Sequence, residues 1–214
     1  MAADRAIVEF FFSPGSRYSY LAASQVPRIE ASTGCRFDWR PVRSHEIRAL
    51  RGRDPFEGEP VSGQYDWAYR ECDARMWAEY YGIPFREPPN HDLDFSMLSK
   101  AAAAGKLLGA GAPYGWALCA AVYGSGQWPI DREACLALAP QADLSRPEVD
   151  RLLDDPSVED LLAGAARDAF ERGAFGVPTL FFDGRMYWGN DRLVLLEHAL
   201  QRACEAGSRV SGQG

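Results

Sequence analysis

The pattern of apolar and polar residues predicts strands at both ends of the chain and helices between them. Residues 8–12 form a short apolar run, interrupted only by Glu9, that stops at Ser13-Pro14-Gly15, which is typical of a buried strand entering a turn. Residues 18–33 then follow helical spacing, and residues 36–42 alternate like a second strand. The chain therefore opens with a strand, a helix and a strand, and we expect the two strands to be parallel.

The first helix contains a proline, and the region after the second strand is predicted to contain helices and loops but no strand. Pro27 predicts a kink or a local break, and Gly34 is placed to end the helix. Asp92 or Asp94 and, farther on, Asp131 are expected to cap later helices. Residues 51–63 are rich in glycine, proline and charge and are expected to form a loop. The helices are predicted at residues 45–50, 65–81, 94–108, 114–123, 131–139, from 145 for a short helix, and 156–172.

Strand character returns near the C-terminal end. Residues 179–182 and 186–188 flank Asp183-Gly184, and an Asp-Gly pair between apolar runs predicts a hairpin. Asn190-Asp191-Arg192 is expected to cap a final helix that ends near Glu205, and residues 208–214 are expected to be irregular. The pattern predicts a split α/β domain, residues 1–43 plus 173–214, with a helical domain of residues 44–172 inserted into it.

Composition and charge exclude several classes of function. The chain has 214 residues, 47% apolar and 25% charged, which is ordinary for a soluble globular protein. A net charge of −7 without a basic block argues against a nucleic-acid partner. No apolar run approaches the length of a membrane span, and residues 1–6 do not resemble a secretion signal. We therefore expect a cytoplasmic protein with no membrane partner.

Cysteine and histidine spacing offers neither a redox pair nor a metal site. The five cysteines are scattered and none forms C-x-x-C, which argues against a redox dithiol or a zinc knuckle. His45, His91 and His198 lack the spacing of metal ligands, so no metal is expected.

The turn after the first strand is the candidate for chemistry. Ser16 stands where the first helix begins, and the first N–H groups of a helix are unpaired and carry partial positive charge. A hydroxyl at this place can cap the helix, or it can help to hold an anion or a thiolate. Ser13 is expected to belong to the turn, and Ser19 to be a packing or backbone-bonding residue. Val177-Pro178, before the third predicted strand, is a candidate cis peptide.

Three motifs carry a resemblance to a known family. They are S-R-Y-S-Y-L-A from Ser16, F-G-V-P-T from Phe175 and W-G-N-D-R-L from Trp188. With them the chain resembles the 2-hydroxychromene-2-carboxylate isomerases, which belong to the DsbA-like branch of the thioredoxin fold with the kappa-class glutathione transferases. The resemblance implies a thioredoxin-like fold with a large helical insertion. It also places serine at both positions of the redox C-x-x-C, so a disulfide oxidoreductase is not expected.

The resemblance also implies a cofactor, a site and a partner. Glutathione would contact Ser16 through its thiol, the Val177-Pro178 loop through its backbone, and Asn190 and Asp191 through its γ-glutamyl end. The thiolate would add to an aromatic α-keto acid, allow rotation about a former double bond and leave again. A homodimer is expected from the family. Two other functions stay open: a kappa-like glutathione transferase, and a non-catalytic thioredoxin-like binding protein.

Each of these site residues also has a plain structural alternative. Pro178 could simply begin a strand, and Asn190 and Asp191 could simply cap a helix. The aromatic residues of the helix at 65–81 could belong to the core or a dimer interface rather than to a substrate pocket.

The chain departs from the family pattern at three places. Arg17 follows Ser16 where the family usually has proline, and it either stabilises the thiolate or points to solvent. Arg53 and Asp54 are nearest to a position where the family tends to have asparagine, and Asp66 stands where it usually has lysine. Loss of a basic partner for a glutathione carboxylate would cost about 1–3 kcal/mol.

Overall fold

The fold is built on a four-stranded sheet in the order β2-β1-β3-β4. In the computed structural model, which describes residues 5–52, 67–89 and 93–211, the strands are β1 (Ile7–Phe12), β2 (Arg36–Pro41), β3 (Thr179–Phe182) and β4 (Arg185–Trp188). β1 pairs with β2 in parallel, and the β3–β4 hairpin joins β1 in antiparallel register. The parallel pair and the hairpin confirm the predictions from the sequence.

Helix α1 (Arg17–Thr33) crosses from β1 to β2. It continues through Pro27 without the local break considered from the sequence. Gly34 ends it in the left-handed region, at φ 70°, and its N–H bonds to the carbonyl of Glu30. The predicted glycine stop is therefore confirmed.

Helices make up most of the described chain between β2 and β3. Asp94, Asp131 and Asp155 cap three of them through their carboxylates, the first two as predicted. Within the described residues between β2 and β3, one isolated parallel bridge joins Leu93 to Ile130. The helices are α2 (Ser44–Arg51), α3 (Trp67–Tyr81), α4 (Phe95–Leu107), α5 (Gly111–Cys119), α6 (Arg132–Leu138), α7 (Arg146–Leu153) and α8 (Pro156–Glu171).

Two helices differ from their predicted extents. α5 begins at Gly111, earlier than predicted, and passes directly into a π-helical turn over Ala120–Ser125. The last helix, α9 (Leu193–Ser211), continues past Glu205, so the expected irregular tail is wrong for residues 208–211. A short 3₁₀ turn, Asn190–Arg192, precedes it.

The sheet is covered on both faces, which explains the three consecutive phenylalanines at residues 10–12 of β1. Phe10 and Phe12 face a large core shared with α1, α4 and α5. Phe11 and Phe181 face a smaller cluster closed by α2 and α8. The larger core runs across the expected boundaries at residues 43 and 173, and the two-domain division stays a prediction. Within the described ranges, no helix is sufficiently long and apolar to cross a membrane.

Candidate active site

Ser16 occupies the turn between the carboxyl end of β1 and the first residue of α1. Its backbone is extended, with φ −107° and ψ 120°, and its Oγ accepts the N–H of Ser19 at 3.3 Å. Its carbonyl accepts the N–H of Tyr20, and its own N–H donates to the carbonyl of Ser13, both at 3.0 Å. Ser16 is therefore the N-cap of the helix.

The capping bond leaves the hydroxyl hydrogen of Ser16 available. A cap uses an oxygen lone pair, and among the described residues no acceptor receives the Ser16 O–H. Ser13 and Ser19 are buried by contrast, and the N–H of Ser13 donates to Oγ of Ser19 at 3.3 Å. The two roles considered for Ser16, helix cap and hydrogen-bond donor to a ligand, are therefore compatible.

A small cavity of about 130 Å³ surrounds Ser16. Tyr123 closes one side of it, and its hydroxyl donates to the carbonyl of Gly15 at 2.7 Å. Residues from α1, α3, α4, the segment between α3 and α4 and the π-helical turn form its wall: Gly15, Ser16, Arg17, Tyr18, Arg70, Glu87, Pro88, Leu93, Phe95 and Tyr123.

Arg17 is buried beside this cavity. Its side chain is 5% exposed, and Nη2 lies 2.7 Å from Oε1 of Glu87, whose side chain is 11% exposed. The alternative that Arg17 points to solvent is therefore wrong. Burial raises the pKa of Glu87, and the positive charge of Arg17 opposes that rise. The pair brings one charge of each sign to the wall that also contains Ser16.

Tyr18 is another polar group at the cavity. Its hydroxyl donates to Oδ2 of Asp73 at 2.9 Å, and the Arg70 guanidinium lies 5.8 Å from the centre of its ring. Burial, followed by the hydrogen bond to Asp73, raises the pKa of Tyr18 to about 12. Tyr18 therefore stays protonated at neutral pH.

The Val177–Pro178 peptide bond is cis, as predicted. Because Phe11 pairs with Thr179, the antiparallel register carried one residue further brings Pro178 to the end of β1, where the chain turns toward Ser16. Among the described residues, neither the N–H nor the carbonyl of Val177 has a hydrogen-bond partner. Unpaired backbone groups directly before a strand can pair with a ligand's backbone as an added strand does.

Asn190 and Asp191 lie next to the cis-proline loop. The N–H of Gly189 donates to the carbonyl of Pro178 at 2.9 Å, which ties the 3₁₀ turn to the loop. Asn190 is 2% exposed, and its Nδ2 donates to the Tyr81 hydroxyl at 3.4 Å. Gly189 holds the cap position of this turn and no side chain caps it, but Asp191 lies in its first turn, so the structural alternative for Asn190 and Asp191 stays open.

These two residues line a second, larger cavity of about 930 Å³. Trp77, Tyr80 and Tyr81 of α3 form its aromatic wall, which supports the pocket alternative for this helix. Asp73 also lines it, so the Tyr18–Asp73 hydrogen bond joins the walls of the two cavities.

The structure thus brings only some of the expected site residues together. Asn190 and Asp191 line the large cavity and Ser16 the small one, whereas Val177 and Pro178 line neither.

Several residues of the site were not found from the sequence. Tyr18, Arg70 and Glu87 belong to three different segments, and no spacing between them indicates a common site. The family departures at Arg53, Asp54 and Asp66 lie outside the described residues, as does His91. Over the described ranges, no group of three or more His, Cys, Asp or Glu side chains could hold a metal ion.

Comparison with known proteins identifies the family. A family model described as the DSBA-like thioredoxin domain matches residues 7–201. The chain belongs to this family. Two curated relatives, from Pseudomonas putida and Sphingobium xenophagum, are named 2-hydroxychromene-2-carboxylate isomerase. Each is 28% identical to this DSBA-like chain, over 96% and 90% of its length and over 99% and 97% of their own.

Solved structures agree with this assignment. A 2-hydroxychromene-2-carboxylate isomerase matches with a TM-score of 0.82 at 25% identity, covering 95% of this chain and 98% of that one. A probable DsbA oxidoreductase from Streptomyces coelicolor matches at a TM-score of 0.66 and 19% identity, which shows the fold alone. The predicted resemblance and the thioredoxin-like fold with a helical insertion are therefore confirmed.

Proposed function

We propose that this DSBA-like protein is an isomerase of the 2-hydroxychromene-2-carboxylate type that uses the thiol of glutathione. The observation that carries the proposal is the Ser16 hydroxyl, which caps α1 and still has a hydrogen to donate. It does so in a chain whose nearly full-length relatives bear the name of this isomerase. With serine at positions 16 and 19, the protein has no thiol of its own at the helix start.

The start of α1 is suited to stabilise a thiolate supplied by a ligand. A free thiol with a pKa near 8.5 is only a few per cent ionised at pH 7. Donation from the Ser16 hydroxyl and the partial positive charge of the helix N-terminus lower that pKa by about one to two units, at about 1.4 kcal/mol each. When bound, glutathione supplies a nucleophile whose reversible addition turns a conjugated double bond into a single bond that can rotate.

The residues present fit two further parts of the tripeptide, its cysteinyl backbone and its ammonium group. Val177 offers a backbone N–H and a carbonyl that have no partner in the described part of the chain, which suits pairing with the cysteinyl backbone. Pro178 fixes that loop in its cis form. Asp191 supplies a carboxylate and Asn190 an amide beside the larger cavity, which suits an ammonium group at the γ-glutamyl end.

The test is a spectrophotometric assay of the purified protein with a 2-hydroxychromene-2-carboxylate. The expected result is isomerisation that requires glutathione and falls strongly in Ser16→Ala. Ser13→Ala is the matched control, because the Ser13 hydroxyl makes no hydrogen bond within the described residues. The mechanism would be refuted if the isomerisation rate stays the same without glutathione and also in Ser16→Ala.

Two further measurements separate the other functions. A kappa-like transferase would accumulate a stable conjugate of glutathione with an electrophilic aryl halide. The proposed isomerase instead releases glutathione unchanged at the end of each turnover. A binding protein without affinity for glutathione would show no change in melting temperature at millimolar glutathione. The proposal predicts that glutathione raises the melting temperature of the wild-type protein, and raises that of Asp191→Asn by less.

A further inference from the structure

Glu87 is a buried carboxylate at the Ser16 cavity that the proposed thiol chemistry does not use. Arg17 engages its Oε1 at 2.7 Å. Its Oε2 is also buried, and no hydrogen-bond partner for that atom exists in the described part of the chain. A buried oxygen without a partner costs free energy, so its persistence at a ligand cavity suggests a function.

The charges around Glu87 come from three neighbouring elements. Burial is the largest influence on its pKa and raises it, which makes the carboxylate a better proton acceptor than an exposed glutamate. The positive charge of Arg17 keeps the ionised form accessible. The facing charged and titratable groups are Arg17 on α1, Arg70, Glu71 and Arg75 on α3, and Tyr123 on the π-helical turn.

The substrate class of the proposed function requires a proton transfer that a thiolate does not perform. A 2-hydroxychromene-2-carboxylate carries a hydroxyl and a carboxylate on the carbon next to the ring oxygen, so it is a cyclic hemiketal. Its opening breaks the bond between that carbon and the ring oxygen. The hydroxyl proton must leave and the phenolic oxygen must gain one, before any rotation about the side-chain double bond can occur.

We propose that Glu87 is the catalytic residue that carries this proton. Its carboxylate accepts the hydroxyl proton, and the O–H electron pair becomes the second bond of the new ketone. The carbon–oxygen ring bond breaks at the same time, and its electron pair stays on the phenolic oxygen. Protonated Glu87 then returns the proton to that oxygen, so the protein ends unchanged and no other reactant is needed.

The inference rests on the proposed function, and two substrates separate the two. The first is the hydroxychromene carboxylate. The second is the cis form of a benzylidene α-keto acid that lacks the ring hydroxyl and cannot cyclise. In Glu87→Gln, we expect kcat to fall about 100-fold for the first substrate and to stay within about twofold of wild type for the second. Ser16→Ala should impair both.

The matched control is Glu133→Gln, which removes an arginine-paired carboxylate from the surface. Glu133 bonds to Arg146 at 2.9 Å and is 75% exposed, so both substrates should react at the wild-type rate. If Glu87→Gln lowers kcat equally for both substrates, or for neither, the role assigned to Glu87 is overturned while the proposed function stands. Wild-type protein that isomerises neither substrate would overturn the proposed function itself.

A second measurement keeps the inference testable if Glu87→Gln does not fold. In wild-type protein, the ratio of the two rates should depend on pH. Turnover of the hemiketal should fall as Glu87 becomes protonated, at a pH above the ordinary glutamate value, whereas the non-cyclising substrate should lack that loss. If the rates for both substrates fall identically toward low pH, Glu87 is not a proton carrier specific to ring opening.

Discussion

The substitution of Ser16 tests whether its hydroxyl acts on a ligand or only on the helix. Ser16→Ala removes the oxygen that accepts the Ser19 N–H at 3.3 Å and, with it, the only hydrogen that Ser16 can offer to a thiol. Ser16→Gly removes the same hydroxyl, but glycine is itself a fair N-cap residue. Both variants therefore lose the hydrogen bond to a ligand thiol, but only Ser16→Ala should clearly destabilise the helix.

The magnitudes follow from these two losses. Ser16→Ala should lower the free energy of unfolding by about 1 kcal/mol, and Ser16→Gly by only a few tenths. For a chain of this size, 1 kcal/mol corresponds to about 2–4 °C in melting temperature. If the hydroxyl supplies about one unit of the lowered thiol pKa, each variant should reduce the thiolate fraction of bound glutathione about three- to eightfold at pH 7.

The assay combines thermal unfolding with titration of the ultraviolet absorbance of glutathione thiolate bound to each variant. Asp131→Ala is the control, because Asp131 caps α6 through the N–H of Ala134 at 2.9 Å and does not line the Ser16 cavity. It should lose stability like Ser16→Ala and leave the thiol pKa unchanged. If Ser16→Gly keeps the wild-type thiol pKa and turnover, Ser16 is only a helix cap and the reasoning is refuted.

Three further predictions concern packing and charge. Gly115→Ala would place a methyl group 2.7 Å from the Phe12 ring and should destabilise the protein by about 1–3 kcal/mol in urea unfolding. Gly164→Ala, on an exposed turn of α8 with nothing within 4 Å, should instead stabilise by about 0.5–1 kcal/mol, and a loss there would contradict the helix assignment. Hydrogen bonding from Arg43 lowers the pKa of Glu159 from 4.5 to about 2, so the stability that the carboxylate contributes is present above pH 4.5 and is lost as the pH falls toward 2. Glu159→Gln should be less stable than wild type at neutral pH, and a difference that persists at pH 2 would contradict this linkage.

Local patterns predicted the frame of the molecule well. The apolar run in β1 indicated a buried strand, and Phe10 and Phe11 do pack into opposite cores. Asp183-Gly184 indicated a hairpin, and both residues have positive φ, 50° and 70°, as a tight turn between strands requires. These features were predictable because neighbouring residues alone decide them.

Helix extents were less predictable where packing competes with local preference. α5 passes into a π-helical turn at Ala120, and Tyr123 and Gly124 of that turn pack beside Tyr20 of α1. The apolar residues of this region fit an ordinary helix equally well, so the wider turn could not be expected from their spacing.

The sequence by itself determined the hydroxyl at the start of α1, the cis-proline loop and, through its resemblance to a family, the kind of chemistry to expect there. Only the tertiary structure decided that Arg17 is buried against Glu87, that Tyr18 bonds to Asp73, and that the Ser16 hydroxyl keeps a free hydrogen. The physical reason is that a cap or a turn depends on residues a few positions apart. The partner and the burial of a charged side chain depend on which distant segments the core brings together.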